Sequence, residues 1–286
     1  MNKMKKAVIA MSGGVDSSVA ALLMKNEGYD CVGATMQLYI EGDCSDAKAV
    51  AEKLHMPFYI FPLKEEFKAL VIDKFIEFYE QGKTPNPCVE CNRTLKFGAM
   101  MEKMQELDAD FVVTGHYARV VCENGEYKLK KAVDESKDQS YFLYMLTQEQ
   151  LKHIKFPLGE YSKPEIRQIA EENNLITARK KDSQDICFIP NGEYASFIQS
   201  QTNQSFPKGN FVSPDGKILG EHQGLIHYTV GQRKGLGISM NKHIFVIKKD
   251  AKTTAEFVVG EGFLIDQGDE PITKSGGGSN TVSVVK

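Results

Sequence analysis

Nowhere in its 286 residues does the chain approach the roughly 20 uninterrupted apolar residues that span a bilayer, so no membrane segment is expected. The N-terminus, MNKMKKAVIAMSGG, is basic and then briefly apolar. Its apolar run is too short for a secretory leader, and a glycine-serine-aspartate turn stands where a cleavage site belongs. A cytoplasmic protein is expected. Neither sign of charge dominates. A net charge of −3 gives no global attraction for nucleic acid. Such a partner would need local patches, for which Lys128/Lys130/Lys131, Arg179/Lys180/Lys181 and Arg233/Lys234 are the candidates. Six cysteines (31, 44, 88, 91, 122 and 187) are too few for a disulfide framework in a chain this long. In a reducing compartment, a subset lying close together points to redox, nucleophilic or metal chemistry. There are no internal repeats.

What is present is ordinary for a globular protein: 42% hydrophobic and 26% charged residues, in a length that suits two domains. Short apolar runs at 5–11, 31–39, 57–63 and 110–117 read as strands, with helices between them over 17–27, 46–55, roughly 65–80 and 94–106. A proline-rich loop is expected at 83–93. Strand and helix alternating this way predict right-handed βαβ units, a doubly wound parallel α/β sheet, and ligands beyond the carboxyl ends of its strands. An Asn-Gly between two extended runs predicts a hairpin over 120–132. Ser162 caps a helix over 162–175 with Pro164 in its first turn. After about residue 205, glycine, proline and short alternating runs replace helical periods. The division expected is therefore 1–204 for the α/β domain and 205–286 for a smaller β-rich domain. The tail SGGGSNTVSVVK reads as linker and a lone strand.

The segment MSGGVDSS (11–18) joins the first strand to the first helix. Two glycines let backbone N–H groups turn toward an anion, the helix start adds its dipole, and Ser12, Ser17 and Ser18 add hydroxyl donors. Asp16 would repel phosphate unless it holds Mg²⁺ or orients a group, which argues for a metal–nucleotide complex. Neither the Walker A spacing nor the dinucleotide fingerprint is present. SGGVDSS resembles the PP-loop of ATP pyrophosphatases, which implies cleavage of ATP between its α and β phosphates to adenylate a substrate oxygen.

Cys88 and Cys91 lie in TPNPCVECNR, stiffened by prolines, and Cys187 lies far along in KDSQDICFI. Cys31 and Cys122 fall inside strand runs and read as small buried hydrophobes. Cys44, between Asp43 and Asp46, stays open. His116, at the end of a strand, is either a nucleotide contact or a hydrogen-bonded structural histidine. The three aromatics of DQSYFLYM (138–145) read as core rather than as a stacking platform.

With AMSGGVDSS, TPNPCVECNRTLKFG, VVTGHYAR, KDQSYFLY, KKDSQDICFI and HYTVGQRKGLGI in this order, the chain is similar over nearly its whole length to the bacterial tRNA-specific 2-thiouridylase family. That resemblance implies ATP-dependent 2-thiolation of the wobble uridine of tRNA. It implies that Ala10, Met11, Ser12, Gly13, Gly14, Val15, Asp16, Ser17 and Met36 hold ATP, with Gly115 also lining the nucleotide site. It makes Cys91 the nucleophile and Cys187 the persulfide carrier, with a Cys91–Cys187 disulfide between turnovers. It places Lys137, Asp138 and Gln139 against tRNA. A persulfide donor, such as a cysteine desulfurase or a sulfur-relay protein, is the implied second partner.

Two features depart from the family pattern. The family's best-known form has aspartate at the position of Cys88, so a proton-transfer role does not carry over. The resulting Cys-x-x-Cys with Cys187 allows a [4Fe–4S] cluster on three thiolates as an alternative to the persulfide, and formally a zinc site. The family also continues into a C-terminal β-barrel, which is expected to be missing or truncated here. An amidating ligase or a non-catalytic nucleotide- or tRNA-binding relative would explain the loop but would leave the loop cysteines idle.

Overall fold

In the computed structural model of the chain, residues 4–38, 44–182, 186–189, 192–249 and 256–261 are described. The tail read as linker and lone strand lies outside them. By contact the chain groups into two compact units. Among the described residues, one runs to Val71 and resumes at Cys88 as far as Asp182, and the other takes Ile72–Pro87 and the residues from Ile186 to Glu261.

The first unit opens with β1 (Lys6–Ala10), α1 (Val15–Asn26), β2 (Asp30–Gln37), α2 (Ser45–Lys53) and β3 (Phe58–Pro62). A helical run follows, α3 (Lys64–Phe67) and a π-helical stretch over Lys68–Ile72, which leads into α4 (Asp73–Glu80) of the second unit. Next come α5 (Pro87–Cys91), a second π stretch over Asn92–Ala99, α6 (Met100–Glu106) and β4 (Phe111–Val113). β5 (Ala118–Glu123), β6 (Glu126–Lys131), α7 (Gln148–Lys152), β7 (Ile154–Lys155) and α8 (Lys163–Glu172) complete it.

The main sheet has the order β3-β2-β1-β4-β7, and every neighbouring pair is parallel. Period-two alternation covers both of its faces. Ala7, Ile9 and Val113 pack with α1, α2 and α8, whereas Val8 and Val112 pack with Met100 and Met104 of α6. The α/β reading therefore holds. β1 is the strand from which the order runs both ways, so the β1–α1 turn sits at the topological switch point, where α/β sheets bind ligands.

Several elements differ from expectation for local reasons. The stretch at 83–93 is not all loop, because Pro87 starts α5, where proline's missing N–H costs nothing. The fourth strand ends at Val113, so Thr114, Gly115 and His116 leave the sheet. Two-residue β7 is too short to leave a periodic signal. The hairpin forms as predicted, with Asn124 (φ 53) and Gly125 (φ 84) supplying the two positive φ values of a type I′ turn. α8 begins where expected, and the Glu165 carboxylate accepts from the Ser162 N–H (2.7 Å) and Oγ (2.6 Å).

In the second unit, α9 (Tyr194–Gln201) precedes β8 (Gly209–Val212), β9 (Ile218–His222), β10 (Ile244–Lys249) and β11 (Glu256–Glu261). These four strands form a mostly antiparallel sheet of order β10-β11-β8-β9. Phe211, Tyr228, Val246 and Phe257 are central to its core, and the His222 ring stacks on Phe257 at 3.7 Å.

Candidate active site

The turn after β1 is built to leave N–H groups exposed to an anion. Gly14 is the N-cap of α1 and brings no side chain to it, so the first-turn N–H groups have no partner from a cap. Gly13 takes φ +73, a conformation costly for other residues. Hydroxyls fix the turn from within. Ser18 Oγ donates to the Gly14 carbonyl at 2.8 Å, Ser17 Oγ donates to the same carbonyl at 3.2 Å, and Ser17 Oγ accepts from the Ser12 N–H at 3.2 Å. From β2, Thr35 Oγ1 donates to the Met11 carbonyl at 2.6 Å. Ala10 ends β1, Met11 is buried, and Met36 lies near the carboxyl end of the adjacent β2. A Cβ on Gly115 would stand 2.9 Å from both Asp16 C and Ser17 N. The structure thus brings Gly115 directly against the loop.

Asp16 finds its counter-charge within the protein. Lys163, whose side chain is 10% exposed, donates to both Asp16 oxygens at 2.7 and 2.8 Å. Tyr117 OH donates to Asp16 Oδ1 at 2.8 Å. Burial first, and then the Asp16 carboxylate, push the Tyr117 hydroxyl far above its ordinary range, which keeps it a donor. Both carboxylate oxygens are engaged, so Mg²⁺ would have to displace Lys163 to use Asp16. Lys163 also meets Asp182 Oδ1 at 2.9 Å, and Arg167 meets the same oxygen at 2.7 Å. Loss of water acts to raise Asp182, yet the Lys163 hydrogen bond and charge, with Arg167 and Lys137, hold it below the ordinary carboxylate range. Lys180 Nζ donates to the Gly13 carbonyl at 2.9 Å and pairs with Asp46 at 2.7 Å. Sequence reading missed Lys163, Tyr117 and Asp182, because each is brought to the loop from a distant segment.

All six cysteines carry thiols, and no disulfide forms part of the fold. Cys91 closes α5 and is 8% exposed, while Cys88, one turn earlier, is exposed. Removal of water pushes the Cys91 thiol above its ordinary value of 9.0, while the Lys96 ammonium pulls it down and Cys88 adds to the rise. Near neutral pH Cys91 is therefore held mainly as the thiol. Iodoacetamide alkylation of Cys91, followed by peptide mass spectrometry, should still be climbing above pH 9. Lys96→Met should slow it further at every pH, because the ammonium that favours thiolate is gone; a plateau below pH 8 would contradict this environment.

Cys187 belongs to the second unit and is exposed. It rides on a turn held by buried Phe188 and Ile189, with the Phe188 ring against Phe75 (5.5 Å) and Phe197 (5.3 Å). Among the described residues no three His, Cys, Asp or Glu side chains come together to hold a metal. Cys31 is buried as expected, and burial pushes its thiol up to about 11. Cys122 is exposed, contrary to expectation, because a two-stranded hairpin leaves one face to solvent.

His116 is a structural histidine. It lies between Phe97 and Phe156, bonds Thr114 Oγ1 through Nδ1 at 2.6 Å, and is held neutral by burial, then by Lys96. Lys137 faces Asp182 at 3.8 Å. Asp138 accepts from the Ala132 N–H (2.9 Å) and Ser140 Oγ (2.7 Å), and Gln139 Oε1 accepts from the Tyr117 N–H at 3.0 Å. Of the aromatics after them, Tyr141 and Tyr144 are exposed rather than core, and Leu143 is the buried residue between them. Lys128 and Lys130 spend their charge on Glu123.

Two family models match the chain: a tRNA methyl transferase HUP domain over residues 5–191 and a tRNA methyl transferase PRC-barrel domain over 195–261. The chain is similar to the tRNA-specific 2-thiouridylase MnmA of Clostridium acetobutylicum, 49% identical over 271 residues, covering 90% of this chain and 76% of that protein. It is likewise similar to the tRNA-specific 2-thiouridylase MnmA 2 of Caldanaerobacter subterraneus, 44% identical over 303 residues, covering 100% and 82%. Among solved structures, NMN synthetase from Francisella tularensis shows a loose likeness: 16% identity, TM-score 0.42, 64% of this chain and 67% of that one.

Proposed function

Because the chain belongs to the tRNA-specific 2-thiouridylase family, we propose that it uses ATP to adenylate the C2 oxygen of the wobble uridine in tRNA and then puts sulfur in place of that oxygen. The observation that carries the nucleotide half is the β1–α1 turn, with Gly115 pressed against it and Asp16 already neutralised by Lys163. Such a turn presents backbone donors to phosphates while the adjacent carboxylate is kept from repelling them. Ala10, Met11, Ser12, Gly13, Gly14, Val15, Asp16, Ser17, Met36 and Gly115 line the ATP site in this proposal, and Mg²⁺ enters on the triphosphate itself.

The C2 carbonyl is a poor electrophile with no usable leaving group. Its oxygen attacks the α-phosphorus and pyrophosphate departs, so that the same oxygen can later leave as part of AMP. Cys187 carries a persulfide received from a cysteine desulfurase or a sulfur-relay protein. The Cys91 thiolate, favoured by Lys96, attacks the inner sulfur of Cys187. A Cys91–Cys187 disulfide forms, and hydrosulfide is released to attack C2. An external dithiol then reduces the disulfide. Lys137, Asp138 and Gln139 form part of the tRNA contact, and the setting is the cytoplasm, where tRNA and ATP meet. Among the described residues no helix is long and apolar enough to cross a membrane.

The family models are described as methyl transferases, but methyl transfer would leave both the phosphate loop and the paired thiols without a task. The deciding assay supplies tRNA, ATP and a desulfurase with cysteine, and reads thiolated nucleoside by mass spectrometry. Sulfur incorporation dependent on ATP is expected. Release of pyrophosphate with no sulfur in tRNA would replace this reading with that of another adenylating enzyme.

A further inference from the structure

A single helical turn over Ser140–Phe142, in the first unit, carries an exposed aromatic ring between the phosphate loop and the paired thiols of α5. Its anchors lead to both. On the nucleotide side, the Gln139 N–H donates to the Tyr117 carbonyl at 2.8 Å, and Gln139 Oε1 accepts from the Tyr117 N–H at 3.0 Å. Tyr117 is the residue whose hydroxyl holds Asp16 of the phosphate loop at 2.8 Å. On the thiol side, Asn92 directly follows Cys91, is 1% exposed, and donates from Nδ2 to the Phe142 carbonyl at 3.3 Å. Ser140 is buried with its Oγ on Asp138 at 2.7 Å, and Leu143 is fully buried. The backbone at position 141 is therefore fixed from two directions, yet the Tyr141 side chain is 46% exposed.

Packing does not explain a ring left open on a turn anchored this firmly. Tyr141 leans on the Phe142 ring, with centroids 3.9 Å apart, which restricts how it can turn. Partial loss of water, then the Cys88 sulfur and the Asp138 carboxylate, push its hydroxyl above the ordinary range, so Cys88 lies within electrostatic reach of it. Asp138 and Gln139 Oε1 are already held by the protein's own groups, so the exposed ring is what this turn adds to the site. A base turned out of an RNA loop loses its stacking partners, and the face of an aromatic side chain replaces them without reading the base's edge.

We propose that Tyr141 is a base-stacking residue: its ring is the surface on which the uridine turned out of the anticodon lies while its C2 oxygen is adenylated and replaced. This rests on the reading of the chain as a tRNA thiouridylase. Stacking of this kind needs the ring but not its hydroxyl, and it needs a base on the RNA.

The test titrates the full chain with two tRNAs by fluorescence anisotropy, one intact and one abasic at the wobble nucleotide. Wild type, Tyr141→Ala, Tyr141→Leu and Tyr141→Phe are compared, each first checked by thermal melting. The wild type should prefer the intact tRNA by about tenfold. Tyr141→Ala and Tyr141→Leu should lose that preference, binding intact tRNA about tenfold more weakly but abasic tRNA within about twofold of the wild type. Leucine keeps apolar bulk without a π face, so it separates stacking from packing, and it stands in for alanine should Tyr141→Ala melt early. Tyr141→Phe should behave as the wild type. The kcat/KM for thiolation should fall about tenfold in Tyr141→Ala, while affinity for α,β-methylene-ATP stays within about twofold. A side chain that only supported the fold would weaken both tRNAs alike. That result, or a preference for intact tRNA that survives Tyr141→Ala and Tyr141→Leu, or equal binding of the two tRNAs by the wild type, overturns the proposal. A wild type that binds neither tRNA removes the thiouridylase reading itself, whereas undiminished thiolation by Tyr141→Ala removes the stacking role alone.

Discussion

Serine in place of Cys91 or Cys187 should cut thiolated tRNA by about a thousandfold or more while leaving tRNA-dependent pyrophosphate release within about threefold. The split follows from the two halves of the reaction. Adenylation draws on the β1–α1 turn, Gly115 and the Lys163–Asp16 pair, which are held together by hydroxyl, carbonyl and carboxylate groups. Sulfur release needs a group that attacks an S–S bond, and a serine hydroxyl at neutral pH is not such a nucleophile. Serine at buried position 91 leaves a hydroxyl where a thiol sat, at about 1–3 kcal/mol if it finds no partner, so a melting curve must accompany the assay. Cys88→Ser is the discriminating third arm. Cys88 is exposed and has no necessary place in a two-thiol exchange, so its loss should weaken thiolation by no more than about tenfold. Equal, complete loss at all three positions would instead require three thiolates acting together, as a cluster does.

The sequence made the first half of the sheet legible because each element there carries its own signal. β1 is an apolar run ended by a glycine turn, α1 stops at Gly28, and Asn124-Gly125 can close only a tight hairpin. The phosphate loop was readable for the same reason, since glycines, hydroxyls and an acid are contiguous in MSGGVDSS. What could not be read is the part of the site that tertiary contact assembles. Nothing in SKPEIRQ marks Lys163 as the partner of Asp16, 147 positions away, because a lysine in the first turn of a surface helix ordinarily faces water. An acid in a phosphate loop suggests Mg²⁺ or an orienting role, and the sequence does not show that Lys163 supplies a charge to it. The thiols were misjudged in the same way. A polar, proline-flanked sequence suggests open loop and reactive thiolate, whereas Pro87 starts a helix that carries Cys91 inward and raises it. Cys122 failed in the opposite sense, since strand propensity does not say which face of a two-stranded hairpin is covered.

Gly115→Ala should raise the KM for ATP by about 10- to 100-fold with little change in tRNA affinity. The added methyl carbon would lie 2.9 Å from Asp16 C and Ser17 N and 3.2 Å from Asp16 Cβ. Two of these three atoms are backbone, so no side chain can rotate away. Relief requires the first turn of α1 to move back by several tenths of an ångström, against Val15 and Val19, which are buried in the core. Overpacking of this kind costs about 1–3 kcal/mol, enough to lower the melting temperature without unfolding the chain. Function should suffer more than stability. The N–H groups of that turn bind phosphate only when they point at one place, and the shift also draws Asp16 away from Lys163 and Tyr117, which sit on other elements. A carboxylate loosened from its lysine then faces the incoming phosphates. Isothermal titration with a non-hydrolysable ATP analogue measures the effect directly, and retained affinity within about twofold would mean that the loop is not where the nucleotide sits.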